Sequence, residues 1–330
     1  MKARGLILAI VTLAATFSPL APLANAALPL NVGIAYDTGG PGDHSFNDAV
    51  AQGLTVAKKR YQIHVSATVT IGSDSDRELR LRSLVAKDCD PIIAVGSGYA
   101  TALRKVALDF PSTQFAIVND ASIGMLNVTS LVFSENQGGY LAGMAAAFAT
   151  KTGRVGLVGL SSKNSMYEKG FTAGARNVKK GITVDARYGP DPTAVIAKAL
   201  IGAGSDVIFL TTPGSDSEVL NMVVSANKRS GTNVGLILIE PDQYVTFSAG
   251  AKKYILASLV KRVDRAIIDV IAESSSGRTL IDVLDATSGI YGRRYGIHNG
   301  GIQLSLWSPL LSKYRKVINL AAIKAAKLSL

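Results

Sequence analysis

One cysteine in 330 residues, Cys89, leaves no partner for an internal disulfide and excludes a cysteine-rich metal site. Histidine is nearly as scarce: His44, His64 and His298 stand far apart, without metal-ligand spacing. The glycines at 39, 40 and 42 do not make the G-x-G-x-x-G of a dinucleotide site, and Asp43 stands where a pyrophosphate needs bare amides. Ser97, in Gly96-Ser97-Gly98, lacks the G-x-S-x-G elbow of a hydrolase. Asp37, Asp120 and Glu240 are not grouped as a Ca²⁺-dependent, nucleoside-hydrolysing site would group them. These absences point to a binding protein rather than an enzyme, with no cofactor and no metal.

Long apolar runs are missing too, with one exception at the start. Lys2 and Arg4 precede an apolar segment over 6–20, and Ala24-Asn25-Ala26 offers an A-x-A cleavage site. That segment is short for a bilayer span, and Pro19 and Pro22 interrupt its far end. The reading is a signal peptide over 1–26, export to the periplasm, cell envelope or exterior, and no lipid on an N-terminal cysteine.

The rest is a well-cored globular sequence, 48% hydrophobic and 18% charged. Lys2 and Arg4 account for two of the +11 net charge, leaving +9 on the mature chain. The excess is scattered over pairs such as Lys58-Lys59-Arg60, Lys252-Lys253 and Arg293-Arg294, and over the tail at 313–327. Such pairs read as solvated surface, not as a nucleic-acid footprint, although a general attraction to acidic envelope polymers follows.

From residue 32 onward the pattern alternates strand and helix. The opening unit, VGIAYDTGGPGDHSFN over 32–47, is a buried strand that stops at Asp37, turns on glycines and enters a helix. Phe46 stands out, an aromatic ring beside Asp37, Ser45 and Asn47 with no apolar run around it. It is either a hydrophobic staple of its helix or a platform for a flat ring. Two more strands end in polar residues, at Gly96-Ser97-Gly98-Tyr99 and at Asn119-Asp120. In a parallel sheet those ends converge on one edge.

The rhythm restarts at 155–158, so the chain reads as two α/β lobes, each a parallel sheet flanked by helices. The expected division is 27–132 with 244–276 for the first lobe and 133–243 with 277–330 for the second. Chain crossings are expected near 130–135, 243 and 275–290, and 255–260 reads as a short exposed-edge strand. Two such lobes describe a monomeric clamp that closes on a small molecule.

Two stretches are specific, the helix start Asp43-His44-Ser45-Phe46-Asn47 and Val260-Lys261-Arg262-Val263-Asp264, and more generic α/β stretches accompany them. Asp37-Thr38-Gly39-Gly40, Asp43-His44-Ser45-Phe46-Asn47, Gly139-Tyr140-Leu141-Ala142-Gly143, Glu168-Lys169-Gly170-Phe171 and Val260-Lys261-Arg262-Val263-Asp264 follow one another in the order of a known family. The chain resembles the basic membrane protein family, purine-nucleoside receptors of ABC importers. The resemblance implies a type I periplasmic-binding fold, a purine nucleoside between the lobes and ABC permease subunits as partners. It implies Phe46 stacked on the base, with Asn47 and Asp37 near it; Ser45, and Ser97 with Tyr99 at a neighbouring strand end, are counted to the same site from the pattern of the residues. Asn119 or Asp120 would serve the polar edge of the base, and Gly214, Glu240 and Lys261 would surround the ribose.

The chain departs from the family in three places. Members commonly carry a lipidated cysteine after the leader, and usually an Asp where Glu240 stands. The loop after Tyr188, here Gly189-Pro190-Asp191-Pro192, is shortened and lacks the second base-stacking aromatic. Tyr188 or Tyr167 takes that place, or the base is held from one side. A sensor on the same fold, or a sugar as ligand, are the alternatives.

Overall fold

The computed structural model describes residues 29–160, 165–212, 216–230, 233–239 and 243–326. Its strands are β1 (Leu30–Tyr36), β2 (Ile63–Val69), β3 (Ile92–Ala94), β4 (Phe115–Val118), β5 (Val128–Phe133), β6 (Arg154–Gly159), β7 (Thr183–Tyr188), β8 (Val207–Leu210), β9 (Gly235–Ile239), β10 (Ile255–Lys261), β11 (Asp282–Asp285), β12 (Ile290–Tyr295) and β13 (Ile302–Leu306). Between them run α1 (Phe46–Arg60), α2 (Asp74–Val85), α3 (Ala100–Asp109), α4 (Glu135–Ala149), α5 (Met166–Val178), α6 (Thr193–Gly202), α7 (Asp216–Ser230), α8 (Gln243–Thr246), α9 (Ala249–Lys252), α10 (Val263–Ser275), α11 (Pro309–Ser312) and α12 (Arg315–Ala325).

The strands make two sheets with one plan. The first has the order β11-β12-β5-β4-β3-β1-β2, the second β13-β10-β9-β8-β6-β7. All pairings are parallel except β11 with β12 and β10 with β13. Apolar runs such as Phe115–Val118 and Val207–Leu210 are buried throughout, as expected of strands covered by helices on both faces. This is the two-lobed α/β architecture expected from the alternating pattern.

Sheet membership runs differently from the expected lobe boundaries. Residues 255–261 lie in the second sheet, between β9 and β13, and six of the seven are buried. They form an inner strand, not an exposed edge. The pair β11–β12, at 282–295, completes the first sheet instead of the second. The chain therefore changes lobes between β5 and α4, between β10 and α10, and between β12 and β13. Only the first crossing falls where the sequence placed it.

The crossings are held side by side. Ser134 N–H donates to the Tyr295 carbonyl at 2.8 Å, and Arg262 N–H to the Gly301 carbonyl at 2.9 Å. The Gln137 side chain accepts from Ile297 N–H at 2.8 Å. One continuous core runs past this junction, joining Val50 and Leu54 of α1 to Ile267 and Ile271 of α10 and on to Phe171 and Phe209. The expected leader lies outside the described residues, and no helix among those described is long and apolar enough to cross a membrane.

Candidate functional site

A cavity of about 510 Å³ opens between the lobes, lined from both sheets. The first lobe supplies Ser45, Phe46, Ser97 and Asn119, the second Glu135, Tyr167, Thr211, Gln303 and Ser305, and Lys261 lies at a crossing. Parallel strands explain the convergence. Ser97 follows β3, Asn119 follows β4, Thr211 follows β8 and Lys261 ends β10, so all four sit at carboxyl edges of sheets.

Lys261 is the electrostatic centre. Six buried residues of β10 carry it to the sheet edge, where its side chain is only 10% exposed. Its ammonium donates to Glu135 Oε1 at 2.8 Å and to Asn119 Oδ1 at 3.0 Å. Three aromatic rings surround it, Tyr167 at 5.5 Å, Phe46 at 5.8 Å and Phe133 at 6.0 Å from the ring centres. Burial works against the charge, but Tyr167 and the Glu135 carboxylate outweigh it and hold the pKa above the usual lysine range. At neutral pH Tyr167 is itself uncharged, so the stabilising charge is that of Glu135. Glu135 in turn sits in the first turn of α4, where the helix dipole favours an anion.

Asn119 reaches the ammonium because its backbone takes a left-handed turn, φ 62°, directly after β4. Asparagine tolerates this conformation better than most residues. Tyr167 stands in the first turn of α5, whose Ser165 accepts from Glu168 N–H at 3.2 Å. Its ring packs edge-on against Phe209. Its hydroxyl is buried against the Lys261–Glu135 pair. Burial pushes its pKa up to about 12. A hydroxyl at a cavity wall can meet a ligand's polar atom.

The expected site residues divide into three groups. Ser45, Phe46, Ser97, Asn119 and Lys261 line the cavity. Phe46 is half-buried, its ring both at the cavity wall and against the core. Asp37, Asn47, Tyr99 and Asp120 do not line it. The Asp37 carboxylate pairs with Arg77 at 3.2 Å. Asn47 is buried and accepts from Asp37 N–H at 3.1 Å, tying down the glycine turn. Tyr99 is fully buried and donates to the Tyr36 carbonyl at 2.9 Å. Asp120 accepts from Ser122 N–H at 2.8 Å and Ser122 Oγ at 2.7 Å, closing a surface turn. Gly214 and Glu240 lie outside the described residues. The carboxylate beside Lys261 among those described is Glu135.

Of the two tyrosines weighed for the second aromatic, Tyr167 lines the cavity, whereas Tyr188 donates to Glu168 Oε2 at 2.6 Å. Sequence reasoning missed Glu135, Gln303 and Ser305 as wall residues. The alternation Ile302, Gln303, Leu304, Ser305, Leu306 carried a signal for the last two, one polar face on a strand. Glu135 had a weaker one, an acid in a first helical turn directly after a strand.

Fold and cleft together define a two-lobed solute-binding protein. The sequence profile of the Bmp family, described as ABC transporter substrate-binding protein PnrA-like, matches residues 31–327, and the chain belongs to this family. It is 31% identical over 263 residues to a CD4+ T-cell-stimulating antigen of Listeria monocytogenes, covering 74% of each chain. It is 28% identical over 298 residues to the ABC transporter nucleoside-binding protein BmpA of Lactococcus lactis, covering 84% of this chain and 82% of that one. An ABC transporter solute-binding protein of Aeropyrum pernix superposes with a TM-score of 0.67 at 23% identity, covering 91% of this chain and 82% of the other.

Proposed function

We propose that this protein captures a purine nucleoside for an ABC importer and hands it, chemically unchanged, to permease subunits. The observation that carries this reading is the buried Lys261, neutralised by Glu135 and walled by the rings of Phe46 and Tyr167. The rings suit a flat base. The ammonium, the Asn119 amide, the Tyr167 hydroxyl and the polar Thr211, Gln303 and Ser305 suit the hydroxyls and ring nitrogens of an uncharged polar ligand. A paired lysine offers no free positive charge to a phosphate, which favours a nucleoside over a nucleotide. The volume, about 510 Å³, lies within the roughly 300–1,000 Å³ of small-molecule sites. The Lactococcus relative, named for nucleoside binding, supports the same reading.

A thermal-shift panel of nucleosides, free bases, nucleotides, sugars and amino acids tests it. A nucleoside at a hundred times its Kd adds about 2.7 kcal/mol of apparent stability. Phe46→Ala should weaken that binding by about 1–3 kcal/mol in calorimetry. A sugar or amino acid that raises the melting temperature where nucleosides do not would overturn the assignment.

A further inference from the structure

The last 45 residues, 286–330, carry seven lysines and arginines and no aspartate or glutamate. Helix α12 lies in this one-signed segment. Its inner face is spoken for: Ile318 and Ala322 join the main core, and Ala325 packs with Tyr140 and Met144 of α4. Its outer face is not polar, as an ordinary solvated helix face would be. Val317, Leu320 and Ile323 are 49%, 54% and 58% exposed, with Leu310 of the preceding turn at 42%. At 3.6 residues per turn, Val317, Leu320 and Ile323 fall within one arc of roughly 120° together with Lys316 and Lys324, and Lys313 lies in the turn just before the helix. All three of these lysines are exposed.

We infer that this face of α12 docks on a lipid surface rich in anionic headgroups. A surface helix that mixes leucine, isoleucine and valine with lysine on its outer arc can dip its apolar side chains into the acyl boundary. The lysine stems then extend their charges up to the headgroups. A protein partner fits less well, because lysine is depleted in the centre of protein interfaces. Three or four side chains are also far short of the roughly 800 Å² per partner that a stable complex buries. Each basic residue close to an anionic membrane adds roughly fivefold to partitioning, so three or four give a reversible attachment that salt weakens. The inner face of α12 packs on α4 and core residues that are not in the cavity wall, so docking leaves the cleft free.

Vesicle co-sedimentation tests this on the chain begun at Ala27, which keeps every described element and omits the apolar stretch at 6–20 that would itself enter a bilayer. Vesicles of phosphatidylglycerol and phosphatidylcholine in equal parts should retain the protein. Pure phosphatidylcholine should retain it at least about tenfold less, as should a tenfold increase in salt. Leu320→Ser/Ile323→Ser and, separately, Lys316→Glu/Lys324→Glu should each cut retention about tenfold or more, with an unchanged melting temperature. Equal retention on both vesicle types, no retention on either, or retention that survives the substitutions overturns the inference. Dimers in sedimentation velocity that the Leu320→Ser/Ile323→Ser change abolishes would assign the face to a second copy instead.

Discussion

A lysine nine-tenths covered by protein is costly unless its surroundings replace water, and Lys261 shows how many groups that takes. A carboxylate, an amide oxygen and three rings do so here. Glu135→Gln removes the countercharge but keeps an acceptor, and Glu135 is partly exposed, so the expected loss at neutral pH is about 1–2 kcal/mol in urea unfolding. Lys261→Met in the same chain should recover part of it, since a methionine needs no countercharge. A single variant as stable as the wild type would show that the pair is not coupled. Ser97 and Asn119 were legible because strand ends are visible as breaks in apolar runs, Ser45 and Phe46 as a polar and aromatic helix start, and Lys261 only through the family resemblance. Tyr99 and Asn47 sat at such breaks too. Their side chains turn inward, one to a buried carbonyl and one to the turn it braces, and composition does not reveal that direction.

Helices α4 and α5 show what small residues do when two helices carry a site between them. A Cβ on Gly170 would run into the carbonyl oxygen of Asn136, and one on Gly143 into that of Phe171. The backbones therefore touch, and their contact fixes Glu135 at the start of one helix relative to Tyr167 at the start of the other. Gly170→Ala should destabilise the fold by about 1–3 kcal/mol, since overpacking forces backbone shifts. It should weaken ligand binding as well, although the residue is not in the cavity wall. Chemical unfolding and calorimetry on the one variant read both effects, and unchanged affinity would uncouple the helix contact from the site. The Gly139-Tyr140-Leu141-Ala142-Gly143 stretch of α4 was readable through the family resemblance. The role of β10 was not, because its buried run ends in Lys261-Arg262 and resembles an edge. Strands β11 and β12 were missed for a related reason: Asp282, Arg293 and Arg294 break the apolar alternation, and the partner strand β5 is remote in sequence.

At the scale of the molecule, the ionisable groups set an alkaline limit. Burial raises the pKa of Tyr167 and of Tyr188 to about 12, and those of Tyr99 and Tyr295 are raised as well. Lys261 is raised too, where its neighbours outweigh burial. For each, the fold binds the proton more tightly than the unfolded chain, whose tyrosines titrate near roughly 10 and lysines near roughly 10.4. Their contribution to stability is therefore complete below pH 10 or so and falls as pH rises towards 12. Urea midpoints should be level from neutral pH to about 9 and then drop, and Tyr167→Phe should soften the drop. A midpoint unchanged at pH 11 would contradict this. The two-lobed plan itself was legible, because βα repetition is local, whereas lobe boundaries depend on where distant strands pair.

The order in which the strands join has a consequence for how the chain is made. The first sheet closes only when β12 pairs with β5, after strands β6 to β10 of the second lobe have been synthesised. Until then β5, a strand of six buried residues, offers open backbone donors and acceptors along an apolar edge. A ribosome-bound chain therefore presents a sticky, unfinished surface that a completed one does not. Such a chain needs either a holding chaperone or rapid delivery, and truncations before residue 290 should aggregate instead of yielding a free first lobe.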